Sequence, residues 1–208
     1  MKYQLDNSQI NDTPCAALYR SNTECFPSAI IACFIISDGW NEQALLELKK
    51  KVKADILVGL QTDDNKYESL DIIGGVIRCQ PDEVNDVVEL LDVNSASTII
   101  GIDVVDVINL LERGNSFQFV QTSATGEPES DTVKTATHKL ISLLAKAHNT
   151  KGMFVGMQSV QGLPLESLAY VTEAIEGLLS NPAASIYYSS NMSDEPNSFH
   201  LKAIYIDD

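Results

Sequence analysis

Three observations predict an α/β fold, α+β in its details. Short apolar runs rich in β-branched residues, such as AIIACFIIS and ADILVGLQT, alternate with stretches whose apolar residues recur every three or four positions. Gly, Pro, Asn, Asp and Ser cluster at the junctions between them. The order strand, helix, strand, polar turn, strand occurs twice, over residues 28 to 79 and 152 to 207. The second half therefore predicts a four-stranded sheet with packed helices, preceded by a smaller related strand-helix-strand-strand unit. Gene duplication and a common αβ habit explain the repeat equally well.

Residues 1 to 27 are polar and read as a lead-in segment in which only CAALYR is suited to a short strand. From Ser28 the run AIIACFIIS reads as a buried strand ending at Asp38-Gly39. The helix after it carries Ala44, Leu45, Leu48 and Val52 on one side, and Lys49, Lys50, Lys51 and Lys53 at its C-terminal end, where cations suit the helix dipole. ADILVGLQT is a second strand. LDIIGGVIRC reads as a third, with Gly74-Gly75 marking a bulge or a close approach. Pro81 and Asp82 open a helix whose stripe is Val84, Val87, Val88 and Leu91.

Further along, the helix DVVDVINLLERG stops at Gly114, a residue suited to a left-handed cap. Strand FQFVQTS leads through ATGEPESD to a helix from about Thr132 to Ala147. Strand GMFVGMQS and a helix opened by Gly162 and Pro164, with Leu168, Val171, Ile175 and Leu178 as its stripe, come next. The runs ASIYYSS and FHLKAIYI read as a closing hairpin across NMSDEPNS, with His200 and Lys202 on its outward face.

Composition narrows the function. Twenty-nine acidic against fourteen basic residues give a net charge of -15, which opposes contact with nucleic acid or an anionic membrane. Cys15, Cys25, Cys33 and Cys79 lack C-x-x-C spacing, so free thiols are expected rather than a disulfide or metal framework. His138, His148 and His200 are scattered, and neither a metal site nor a Ser-His-Asp or Cys-His set can be proposed. The start MKYQLDNSQINDTP has no secretory pattern, and no apolar stretch approaches the roughly 20 residues of a membrane span, so a cytoplasmic location is expected.

Over residues 99 to 208 the chain resembles the C-terminal domain of FtsZ, the bacterial tubulin homologue. IIGIDVVDVINLL is similar to that family's L-I-N-x-D-F-A-D-V segment, and FVQTSATGEPESDTVKTA to its G-x-A-S-G-E-x-R-A passage. KGMFVGMQSVQGLPLESLAYVTEAI is similar to G-V-L-V-N-I-T-G-G-x-D-L-T-L-x-E-V-x-x-A, and ASIYYSSNMSDEPNSFHLKAIYI to the family's closing strands. ELKKKVKADILVGLQ also resembles the helix and strand before that family's central helix, so residues 28 to 98 are either a duplicated unit or a remnant of the GTPase domain. The domains expected are thus residues 28–98, an αβ unit, and 99–208, an FtsZ C-terminal-like domain.

The resemblance implies certain sites and withholds others. The family's phosphate-cradling G-G-G-T-G-T-G loop has no counterpart here, so no GTPase activity and no cofactor are expected. Asp103 and Asp106 occupy the positions of two acids that, in the family, reach across a filament contact into the next subunit's GTP site; Gly101 stands where the family has Asn. They are candidate partner-contact residues, and the alternative is that they are first-turn acids of a helix. Glu127 matches a family glutamate, the alternative being a turn before a cap at Ser130 or Asp131. Trp40 reads as a lid over a small core.

The function expected is a non-catalytic FtsZ-like assembly or regulatory protein that associates with itself or with an intact FtsZ homologue. The alternative is a small-molecule-binding αβ oligomer or an enzyme with pockets at subunit interfaces.

Overall fold

The computed structural model of the chain describes residues 13–23, 26–64, 70–94, 97–127 and 129–207. In chain order its elements are β1 (Ala16–Tyr19), β2 (Ile31–Ile35), α1 (Glu42–Val52), β3 (Ile56–Gln61), β4 (Gly75–Arg78), α2 (Val84–Leu91) and β5 (Thr98–Ile100). Then follow α3 (Val104–Leu111), β6 (Ser116–Thr125), α4 (Glu129–Leu143), β7 (Gly152–Ser159), α5 (Leu165–Glu176), β8 (Ser185–Met192) and β9 (Ser198–Ile206).

These strands form a single sheet in the order β1-β2-β3-β4-β6-β9-β7-β8-β5. β1 to β4 and β6 run parallel. β9 is antiparallel to both of its neighbours, β7 and β8 are parallel, and β5 closes the far edge antiparallel to β8. The expected four-stranded sheet is present as β6-β9-β7-β8. The smaller unit continues it, because Val76, Ile77 and Arg78 of β4 pair with Ser116, Phe117 and Gln118 of β6.

The closing hairpin is corrected by this topology. β8 pairs with β7, and β9 lies on the other side of β7, between it and β6. The α5 crossover lays β8 parallel to β7, and the connection after Met192 passes the end of β7, where Ser193 N donates to Ser159 O at 2.8 Å. Three other expectations shift. The third strand covers only Gly75–Arg78. α3 ends at Leu111, and Gly114 is not among the residues of positive φ. β5 falls in a stretch with no predicted element.

Alternation in the strands divides the apolar residues between the two faces of the sheet. On one face Ile31, Cys33, Val58, Ile77, Phe117, Phe154 and Ile204 pack with Val87, Leu91 and Leu110 of α2 and α3. The other face is covered at one end by α1, whose Leu45, Leu48 and Val52 meet Phe34 and Leu57, and at the other by α4 and α5. α1 begins at Asn41, whose Oδ1 accepts from Ala44 N at 2.9 Å. It ends at Lys53, in a left-handed conformation at φ 59. The glycine pair marks the close approach that was one of its two readings: a Cβ on Gly74 would lie 2.4 Å from Ile56 Cδ1, and one on Gly75 2.8 Å from the Phe117 ring.

Lys202, read as outward-facing, is instead 5% exposed. Its Nζ lies 2.8 Å from Asp86 Oδ1 and 2.7 Å from Glu89 Oε2, both on α2. Gln121 Nε2 donates to Asp86 Oδ2 at 3.2 Å, and Gln158 Nε2 to Glu89 Oε1 at 2.8 Å. α2, from the first half, is thereby fastened across β6, β9 and β7 of the second.

On β8 the hydroxyl of Tyr188 is buried and has no hydrogen-bond partner among the described residues. Burial, and secondarily the charge of Glu176, raises its pKa, which keeps the phenol neutral. An unpaired buried hydroxyl contributes no net stability, so Tyr188→Phe is expected to leave stability within about 1 kcal/mol of wild type, or to raise it. A denaturant midpoint that falls by more than that would show the hydroxyl to be paired in solution.

Candidate partner interface at the start of α3

Asp103 is the N-cap of α3. Its backbone is extended, at φ -72 and ψ 140, and its Oδ1 accepts from Val105 N at 2.9 Å. Asp106 stands in the first turn, half-buried, and its amide donates to the Asp103 carbonyl at 2.9 Å. The first-turn role therefore exists in the structure, and Asp103 is exposed. Gly101 has no conformational need to be glycine, since a Cβ there would meet only Thr98 Cγ2 at 3.4 Å, an ordinary contact.

The surroundings of these acids are apolar. Among the described residues seven large apolar side chains are exposed, and five of them lie on β5, α3, α5 and β8: Ile99, Ile100, Val105, Leu165 and Met192. Pairing brings them together. Thr98 lies beside Asn191 and Ile100 beside Ser190, and Met192 N donates to Ser97 O at 2.8 Å. A Cβ on Gly162 would sit 3.7 Å from Ile99 Cδ1, which places the start of α5, with Leu165 81% exposed, against the same edge. Exposed apolar side chains along a sheet edge are candidates for a contact site. Sequence reading missed it because β5 is only three residues long, too short for a periodic signal.

The other candidates lie elsewhere. Glu127 is exposed in a bend after Gly126, whose φ is 138. Ser130 and Asp131, read as caps, are already inside α4, because the helix begins at Glu129. Trp40 packs edge-on to Phe34, with ring centroids 6.0 Å apart, as a lid would. His200 is near Glu195, with Nε2 to Oε2 at 2.9 Å.

A cleft of about 1200 Å³ opens beside α1, β3, β4 and the start of β6, lined by Trp40, Gln61, Asp63, Arg78, Gln80 and Gln118 among others. Cys79 borders it, but burial, with the charges of Glu83 and Asp82 behind it, pushes that thiol up to about 12. Cys33 is likewise pushed up to about 12 by burial, so neither is a nucleophile near neutral pH. Cys15, Cys33 and Cys79 are free, and Cys25 lies outside the described residues. Among the described residues no group of three or more His, Cys, Asp or Glu could hold a metal ion, and no helix is long and apolar enough to cross a membrane.

A mixed sheet in which the parallel strands β1-β2-β3-β4 continue into β6-β9-β7-β8, with α4 and α5 on one face of the latter, defines an α/β protein with an FtsZ/tubulin-like fold. Structural comparison supports that class. The FtsZ W319Y mutant of M. jannaschii is similar over 85% of this chain and 64% of its own, with a TM-score of 0.64 and 16% identity. CetZ2 of Haloferax volcanii, in a GTPγS-bound protofilament, matches over 85% of this chain and 65% of its own, with a TM-score of 0.59 and 11% identity. TubZ of Bacillus thuringiensis serovar israelensis, in GDP-form protofilaments, matches over 86% of this chain and 61% of its own, with a TM-score of 0.54 and 8% identity. The chain thus spans less than two thirds of the length of these proteins. No family model matches the sequence, and no curated protein matches it either.

Proposed function

We propose that this chain is a non-catalytic assembly or regulatory protein that binds a partner through the corner where Asp103 caps α3. The observation that carries this reading is the exposure of Ile99 and Ile100 on β5, the edge strand that leads into Asp103, together with Met192 on the paired strand β8. The similar structures are of proteins seen as a dimer and as protofilaments, which supports association as the use of such a surface. The proposed partner is an intact FtsZ homologue or another copy of this chain.

Co-sedimentation with an intact FtsZ homologue from the same organism, with and without GTP, tests the reading. Wild-type chain is expected in the pellet. Asp103→Asn with Asp106→Asn should abolish it while leaving folding intact, because Asn caps a helix about as well as Asp and only the charge is lost. Asp103→Ala would confuse the two roles, since losing the cap costs about 1 kcal/mol. If the Asn variant pellets like wild type, the acids are helix-capping groups with no partner role.

The same reading holds that the chain binds no GTP by itself. Its only adjacent glycines, Gly74 and Gly75, sit at the start of β4 with Ile56 and Phe117 packed where their side chains would be, so they form no phosphate cradle. The cleft wall sets Glu42, Asp63 and Asp64 against Arg78, which disfavours a polyphosphate. A calorimetric titration at about micromolar protein and up to about millimolar GTP is expected to show no saturable heat, and a saturating isotherm would overturn the non-catalytic reading.

A further inference from the structure

We propose that the cleft beside α1 binds an arginine-bearing peptide segment of another protein, whose guanidinium groups are received by Trp40 and by the carboxylates of Glu42, Asp63 and Asp64. The inference is independent of the corner at α3, because no residue lining the cleft is part of that corner. Charge sets the sign of the ligand. The three acids are exposed and line the cleft with a single cation, Arg78, which lies 3.7 Å from Asp207 Oδ2, a carboxylate outside the lining. The N-terminus of α1 also borders the cleft and would by itself favour an anion. There Asn41 Oδ1 already accepts from Ala44 N, and the full charge of Glu42 exceeds the roughly half charge of the dipole. A cation is therefore favoured over a phosphate or a carboxylate.

The rest of the lining selects the kind of cation. Trp40 is half-buried, and its Nε1 has no hydrogen-bond partner among the described residues, so no such bond fixes the ring. A guanidinium is flat and weakly hydrated, stacks on indole and forks onto a carboxylate, whereas the ammonium of lysine is a compact, strongly hydrated point charge. Half-buried Ile73 and Val76 add an apolar wall for the residues that flank an arginine. Gln118 lines the cleft too, and its Nε2 lies 3.4 Å from Arg78 O and 3.3 Å from Phe119 O, long for hydrogen bonds. Its amide can therefore turn to a peptide group, as donor and acceptor together. Size separates a chain from a metabolite, because about 1200 Å³ exceeds the roughly 300–1,000 Å³ of pockets that enclose drug-sized ligands.

Trp40 is the only tryptophan of the chain, so its emission reports on the cleft without a label. The test is a fluorescence titration of the full chain with the blocked peptide acetyl-Gly-Arg-Leu-Arg-Gly-amide, repeated by calorimetry. Salt at about 150 mM screens the general attraction of an acidic chain for cations. A saturable change in Trp40 emission is expected. Lysine in place of both arginines should weaken binding by about fivefold or more, and citrulline, which keeps the shape without the charge, should abolish it. Glu42→Gln with Asp64→Asn should weaken binding of the arginine peptide by about tenfold or more. Circular dichroism shows whether that variant is folded, and the comparison of peptides stands without it. Absence of saturation in both measurements overturns the proposal. So does a lysine peptide bound as tightly as the arginine one, or a folded variant that binds like wild type, since either would mean attraction to the acidic surface at large. Agmatine, a free guanidinium compound, is expected to bind more weakly than the peptide; equal affinity would make the occupant a small molecule and overturn the peptide assignment.

Discussion

Phe117→Ala is expected to cost about 3–5 kcal/mol, enough to lower the melting temperature of a chain this size by about 10 °C. Phe117 is fully buried on β6 at the junction with β4, and its core is shared by Ile31, Val58 and Ile77 of the first half and Phe154 and Ile204 of the second. The ring also fills the space over Gly75, where a Cβ would meet it at 2.8 Å. Truncation leaves a cavity that neighbours on two strands cannot close without moving the sheet. A second change follows from that geometry. Gly75→Ala clashes with the ring in wild type but points into the cavity of the Phe117→Ala protein, so the double variant is expected to be more stable than the sum of the single effects predicts. Thermal denaturation followed by circular dichroism and by calorimetry measures both, and should show one transition because the core crosses β4 and β6. Two transitions, with only the second moved, would mean that the halves fold separately.

Removing both acids of α2 that hold Lys202 is the other large effect. With Asp86→Ala and Glu89→Ala the ammonium, 5% exposed, stays under α2 with no anion, at a cost of about 3 kcal/mol. Lys202→Met is expected to cost about 1 kcal/mol or less. The two carboxylates it leaves behind are 32% and 49% exposed, reach water, and keep the amides of Gln121 and Gln158 as donors. The contrast between the variants is the diagnostic result, read as the difference between their urea midpoints. Equal losses would show that Lys202 contributes through the packing of its methylene chain rather than through charge.

Much of the secondary structure was legible because each element carries its own local signal. AIIACFIIS and ADILVGLQT are too short and too β-branched for helices, and they are β2 and β3. The stripes of α1, α4 and α5 recur at helical spacing and end in turn-formers, and their inward residues Leu45, Leu48, Val133, Leu140, Val171 and Ile175 are buried. The capping place of Asp103 was also legible, since it stands just before an apolar helical period, whereas its candidate partner role came from the resemblance alone.

What the sequence by itself determined is the set of segments that bury one face, their approximate order, and an acidic chain whose adjacent glycines lie among Ile and Val. Tertiary structure alone decided which strands are neighbours. β8 and β9 are adjacent in the chain with a short polar turn between them, the pattern of a hairpin, yet β7 separates them, because strand pairing is settled by which buried faces fit across the whole sheet rather than by loop length. The same holds for Lys202, whose alternation reads as outward until α2 arrives from over a hundred residues away in sequence and closes over it with two carboxylates. It holds too for the apolar corner. Ile99, Leu165 and Met192 are unremarkable one at a time, and they come to one edge of the sheet only when β5 pairs with β8 and the start of α5 comes to rest beside it, since exposed apolar area is a property of neighbours in space.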